Sequence, residues 1–445
     1  MAASKSLDRS GQWVLAAVVV SVVLIPINST MIAVGLVPIA HGLHTPVTRV
    51  VWAVTSYLVI MAALQPISGK FGDLYGRRRV LLLGLAIFLV SSVLAAVTPH
   101  LWALLSFRSG QAVGGALIVP NAMGVVRRHF LRDDLRRALG IVGLTQGLGA
   151  ASGPLIGAAL LAWGGWTAIF WVNVPVVALA LWTVRTKVPQ DQPGAPSRVD
   201  GLGALALAGF LALLALSLPR SGDFHRWIET LPACVLLMGL FVVVERRAAN
   251  PIVRFQFFRR RPFASANGAI LLSNFFMYAT LLYMPIYLKN HGYTATATGI
   301  LLFLFSFAMS LTSWGGSYAG RKLGGQRVVA LAFVLDLLVV GWYIDLVHHS
   351  GLWLVIIGLI LAGLGAGVGT VTMQATALES VDIEIAGVSA GIYSTFRYLG
   401  SITASALISL MLFSPAVHSI VLGGIALLGL MVSWGFPRRP HQSGA

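Results

Sequence analysis

Long apolar runs separated by short polar turns follow one another from end to end of this chain. Fourteen can be marked: 13–38, 50–69, 79–97, 101–125, 138–161, 167–186, 200–219, 230–246, 263–288, 298–319, 327–346, 352–375, 386–412 and 416–436. A helix needs about 20 residues to cross the hydrocarbon of a bilayer. Inside lipid every backbone group must be satisfied within the segment, so each run is predicted to be a helix. The run 230–246 is the shortest. The run that begins at Trp13 is too long for the apolar core of a signal peptide and lacks a clear small-residue cleavage site. It is predicted to be retained as the first span.

Composition agrees with the pattern. The chain has 445 residues, 57% of them hydrophobic and 10% charged, against about 25% charged in soluble chains. Its formal net charge is +17. In a soluble protein that excess would point to nucleic acid. Here 25 of the 31 Lys and Arg residues fall in alternate loops, 4 fall in the others, and Arg108 and Arg397 lie within runs. Basic loops stay on the cytoplasmic side, so the alternation predicts an even number of spans with both termini inside. No nucleic-acid partner is expected. A single cysteine, Cys234, excludes an internal disulfide and any metal cluster built on cysteine.

Polar residues that interrupt the pattern mark the candidate chemistry. The loop 69–79 reads Gly-Lys-Phe-Gly-Asp-Leu-Tyr-Gly-Arg-Arg-Arg. Its glycines permit tight turns, and Asp73 and Arg77 stand at ion-pairing distance on a helical turn. A weaker copy, 316–327, follows the tenth run as 69–79 follows the second, with Gly320 set against Asp73. In the fifth run Gly149, Gly153 and Gly157 form a smooth ridge for close packing, and Pro154 favours a kink. Arg108 lies about seven residues into its run, roughly 10 Å deep at about 1.5 Å per residue. A charge at that depth is costly and faces protein or water. Gln111 is one turn further on. Asp336 is the one acid deep in a run, and burial makes such a carboxyl a candidate proton carrier. Glu379, at the end of the twelfth run, is a second candidate.

Together with Asn28-Ser29-Thr30 in the first run, Arg108-Ser109-Gly110-Gln111 in the fourth and Arg397-Tyr398-Leu399-Gly400 in the thirteenth, these motifs resemble the fourteen-span drug:proton antiporters of the major facilitator superfamily over nearly the whole chain. The resemblance implies an all-α polytopic membrane protein of two six-helix bundles with an inserted helix pair. The corresponding divisions are 1–187, 188–261 and 262–445. It also implies export of small, often amphipathic molecules by alternating access. Loop 69–79, with Gly69, Asp73, Gly76, Arg77 and Arg78, is then expected to act as a latch whose charges touch the opposite bundle. The family's aspartate in the first span is replaced here by Asn28, which cannot carry a proton. Proton coupling would fall to Asp336, Arg108 or Glu379. By the internal repeat, however, Asp336 sits on a supporting helix and can equally be a structural group.

Asn28, Tyr57, Gln111, Gln146, Asn274, Tyr278, Gln374 and Arg397 lie on cavity-lining helices of the resembling fold, where each is either a substrate contact or an interhelical hydrogen bond. Two cavity cations would favour anionic or zwitterionic substrates. No nucleophile, metal cluster or phosphate loop is present, so neither an enzyme nor a cofactor is expected. The expected partners are a small-molecule substrate, protons and membrane lipids, with the chain a monomer in the plasma membrane. A lipid flippase or uncoupled transporter on the same fold and a non-transporting scaffold are the alternative readings.

Overall fold

The computed structural model describes residues 9–130, 132–190, 201–217, 224–247, 255–346, 351–381 and 386–437. In chain order the helices are α1 (Arg9–Gly42), α2 (Val47–Val50), α3 (Trp52–Tyr75), α4 (Arg77–Val97), α5 (Leu101–His129), α6 (Arg132–Trp171), α7 (Asn173–Lys187), α8 (Gly201–Ser217) and α9 (Phe224–Arg247). A short 3-10 turn (Phe255–Arg259) leads into α10 (Arg261–Asn290), α11 (Ala295–Leu323), α12 (Gly325–Leu346), α13 (Leu352–Val368), α14 (Thr370–Glu379), α15 (Ala386–Phe413) and α16 (Pro415–Ser433). No strand occurs among the described residues.

Every predicted run falls on a helix, and the differences have local causes. Runs 138–161 and 167–186 are joined through Gly164 (φ −138°) and Gly165 (φ 68°), which break α6 near its end. Positive φ at Gly165 is a conformation that glycine reaches without strain. Run 352–375 divides at Gly369 into α13 and α14. The shortest run extends well beyond its apolar part to give α9. Among the described residues nine stretches are long and apolar enough to cross a membrane, one of them, Arg137–Lys187, being long enough to cross twice. Helices α5 and α15 are outside that set, and they carry Arg108 and Arg397 amid Gly, Ser and Gln. The acids at 382 and 384 and the linkers 191–200 and 248–254 lie outside the described residues.

Packing falls into two groups built alike. In the first, α1 lies on α6 and α3 on α5; in the second, α10 lies on α15 and α11 on α13. Small residues allow these approaches. A Cβ on Gly153 would run into Thr30 Oγ1 and stand 3.0 Å from the Ile27 carbonyl oxygen of α1. A Cβ on Gly400 of α15 would meet the Leu271 carbonyl of α10 in the same manner. The repeat extends to the loops. Gly76 ends α3 with φ 93° and donates to Gly72 O at 3.0 Å; Gly324 ends α11 with φ 87° and donates to Gly320 O at 3.2 Å. Backbone geometry therefore sets Gly320 against Gly72, one residue away from the match to Asp73 expected from the sequence.

The groups meet along three contacts, α6 on α11, α3 on α15 and α1 on α10, while α8 packs over α3 and α15 and carries α9 on its other side. One end of this assembly bears the basic loops; it is called the basic end below.

Candidate functional site

Arg108 is the largest side chain with no surface exposed. It is reached from three helices of the first group. Nη1 donates to Asn28 Oδ1 of α1 and to Gln111 Oε1 at 2.9 Å, and Nε donates to the Ala53 carbonyl of α3 at 3.4 Å. The guanidinium stands 4.6 Å from the centre of the Tyr57 ring, a cation–π contact of the kind that strengthens when desolvated. Gln111 is held in turn, its Nε2 donating to Ser92 Oγ at 2.8 Å, and Ser92 donates to its own helix at Phe88 O. The one-turn spacing places Gln111 beside Arg108, and Asn28 and Tyr57, expected only on cavity-lining helices, meet Arg108 as well. Ser92 carries no signal of its own, because a buried serine more often returns its bond to the helix it sits on.

Beside this cluster, hydroxyls tie the two groups together. Ser29 Oγ and Tyr278 OH are 2.9 Å apart, as are Thr55 Oγ1 and Ser405 Oγ. Ser394 donates to Gln65 Oε1 at 2.6 Å, and Ser310 donates to the Gly147 carbonyl at 3.1 Å. Thr55 is near the start of α3, Ser29 and Ser310 are near the middle of their helices, and Gln65 lies somewhat further toward the basic end. Beyond Thr55, Gly299 of α11 lies against Pro154 and Ala158 of α6. The ties thus run from the far end to a little past mid-depth. At the far end α1 and α10 also border a cleft of about 310 Å³ lined by Val34, Pro38, His41, Pro285, Lys289 and Tyr293.

Loop 69–79 is bolted to its own bundle. Arg77 Nη2 donates to Asp73 Oδ1 at 2.7 Å, and Arg128 of α5 reaches the same oxygen at 3.2 Å. Arg77 crosses over Gly124, where a Cβ would strike its guanidinium. Asn121 Nδ2 donates to the Ser68 carbonyl and hydroxyl, each at 3.1 Å. Arg78 donates to the Arg185 carbonyl near the end of α7. Gly69 has only Pro120 near it. The ion pairs of Asp73 therefore run to Arg77, as the four-residue spacing predicts, and to Arg128 of α5.

The remaining candidates divide. Tyr278 and Asn274 are buried; Tyr278 joins the cross-group ties, whereas Asn274 Nδ2 bonds back to Ile270 O. Gln146 is half-buried on α6, and Gln374 is exposed on α14. Arg397 is exposed, with its guanidinium 5.3 Å from the Tyr398 ring, so Arg108 is the buried cation of the pair. Asp336 is buried between α12 and α13, where a Cβ on Gly365 would stand 2.6 Å from its Oδ1. Glu379 is exposed at the end of α14, at the surface rather than in the apolar layer. The ridge of Gly149, Gly153 and Gly157 faces α1, where a Cβ on Gly157 would stand 2.8 Å from Met31 Cγ. It packs one bundle internally, while Pro154 and Ala158 carry the contact with the other.

An all-helical membrane protein of two similar halves, joined by separable hydroxyl pairs beside a buried polar cluster, has the build of a solute transporter. The sequence profile of the Major Facilitator Superfamily matches residues 18–405, and the chain belongs to that family. It is similar to the MFS-type transporter YvkA of Bacillus subtilis (38% identity, 95% of this chain and 96% of that one). It also resembles the tetracenomycin C resistance and export protein of Streptomyces glaucescens (28%, covering 91% and 77%). Its fold is that of a D-xylose–proton symporter, with a TM-score of 0.70 at 13% identity over 98% of this chain and 99% of that one. The protein is a multi-pass membrane transporter and not an enzyme.

Proposed function

We propose that this chain exports small organic, often amphipathic molecules across the plasma membrane by alternating access, in exchange for protons. The observation that carries the reading is the set of side-chain hydrogen bonds between the halves, Ser29–Tyr278, Thr55–Ser405 and Gln65–Ser394. Each is a neutral bond worth about 1 kcal/mol net, cheap enough to break in every cycle, and Ser29 of one pair adjoins Asn28 of the Arg108 cluster in the sequence. Likeness to a resistance and export protein supports the outward direction. On this reading the chain crosses the membrane fourteen times, with both termini and the basic end in the cytoplasm. Residues 1–187 and 262–445 are the moving halves, and 188–261 is an inserted pair that covers the α3–α15 seam. The chain works as a monomer, with lipid around it.

Purified protein in liposomes loaded with a pH dye tests the reading. Addition of a panel of drug-like compounds should produce compound-dependent proton movement. A specific observation favours an uncoupled transporter as the second reading: Arg108 is held by Asn28, and Asp336 sits away from the cluster. Transport of compound with no proton movement would select it, and no transport of any compound would refute the exporter.

A further inference from the structure

Arg108 has five N–H donors and no acceptors. Three are used, all on neutral oxygens: those of Asn28, Gln111 and Ala53. Nη2, with its two hydrogens, has no partner. Because an arginine can only donate, the oxygen of the Asn28 amide must face it. That fixes the amide and leaves Nδ2 as a second donor, also without a partner. Nη2 and Nδ2 are each two covalent bonds from an atom of one hydrogen bond, Nη1 to Oδ1, so the two free donors lie in one neighbourhood. The hydroxyl of Tyr57, whose ring underlies the guanidinium, has no partner either.

Among the described residues no carboxylate pairs with Arg108. The buried acids among the described residues, Glu245 and Asp336, lie on α9 and α12, which pack on α8 and chiefly on α13 and α16. A buried charge without a counter-charge is unstable unless something of opposite sign joins it. Neutral carbonyls and a ring face orient a guanidinium but do not neutralise it.

We propose that Arg108 Nη2 and Asn28 Nδ2 together bind a monovalent anion, either chloride or the carboxylate of the transported molecule. One formal charge calls for one: a sulfate or phosphate dianion would leave an excess negative charge in the apolar layer. The carboxylate form rests on the exporter reading above. The chloride form does not, because a resident anion would be needed to neutralise Arg108 whatever crosses.

The test is binding, measured apart from transport. Purified protein in sulfate buffer at fixed ionic strength, a dianion that the single charge does not accommodate, is titrated with sodium chloride or sodium acetate, and thermal unfolding is followed. A saturable rise in midpoint is expected with one or both. Asn28→Asp places a fixed carboxylate on Arg108 in the same volume. It should raise the midpoint in sulfate and weaken the response to added anion by about tenfold or more. Response to chloride assigns an inorganic anion; response to acetate alone assigns a carboxylate. No response of the wild type, or an undiminished response in Asn28→Asp, overturns the proposal. Should that variant not fold, radiolabelled chloride with acetate as competitor decides on the wild type: a single saturable site for either supports the proposal, and its absence overturns it. Loss of transport with intact binding would refute the exporter reading alone.

Discussion

At the residue scale the chain depends on which atoms fill which narrow contacts. Gly153 leaves no room for a methyl group beside Thr30 and the Ile27 carbonyl. Overpacked sites of this kind lose about 1–3 kcal/mol, so Gly153→Ala should lower the unfolding temperature of the purified protein. Gly143 has nothing within 4 Å of its would-be Cβ, and Gly143→Ala on the same helix should leave that temperature unchanged or raise it. Equal effects would show that helix propensity, not the α1 contact, governs. Arg108 gives a second case. Lysine keeps the charge but not the planar fork that serves Asn28, Gln111 and Ala53 at once. Arg108→Lys should therefore cut initial transport rates by about tenfold, as expected for the loss of a positioned contact of about 1.4 kcal/mol, while the protein still reaches the membrane. Wild-type rates would reduce Arg108 to a point charge.

At the scale of elements, the ties between helices and the loop at the basic end set the expected switching behaviour. Breaking Thr55–Ser405 with Thr55→Val removes a bond between α3 and α15 near the far end and should favour opening there. Spin labels on those two helices, placed in a Cys234→Ser background, should report longer distances, and an unchanged distribution would remove the pair from the gate. Asp73→Asn loses two ion pairs that are about half exposed. Such pairs stabilise by about 0–1 kcal/mol, so folding should survive; transport should slow because Arg77 is no longer held over Gly124. Much of this level was legible in the sequence. The helices follow from the apolar runs, and Gln111 beside Arg108 follows from their spacing within one run. Arg77 as a partner of Asp73 was legible from the spacing, whereas the direction of each glycine ridge and the second partner of Asp73, Arg128, were not. A stripe of small residues says that something approaches closely but not which helix does. An acid among several arginines pairs with whichever packing brings nearest. The serines and threonines of the ties were hidden for a related reason, since their hydroxyls can always bond within their own helix.

At the scale of the whole molecule the open question is how an energy source reaches a site with no acid in it. Asp336 is buried with Oδ1 unpartnered, between α12 and α13 in the second half, whereas Arg108 lies in the first. A proton on Asp336 would act through movement of its half, not through contact with the substrate: the charged form requires water between α12 and α13, the neutral form lets those helices close. Coupling of this sort predicts a separation of functions. Asp336→Asn, fixed in the neutral form, should abolish substrate-driven proton movement in liposomes while downhill movement of the compound itself continues. Gly365→Ala, which crowds the same oxygen, should weaken both together, because it disturbs the helix contact and not only the proton. Proton movement that persists in Asp336→Asn would take the carrier away from this helix pair. Loss of both activities in Asp336→Asn, with the protein folded, would make the carboxyl a structural group of the α12–α13 contact.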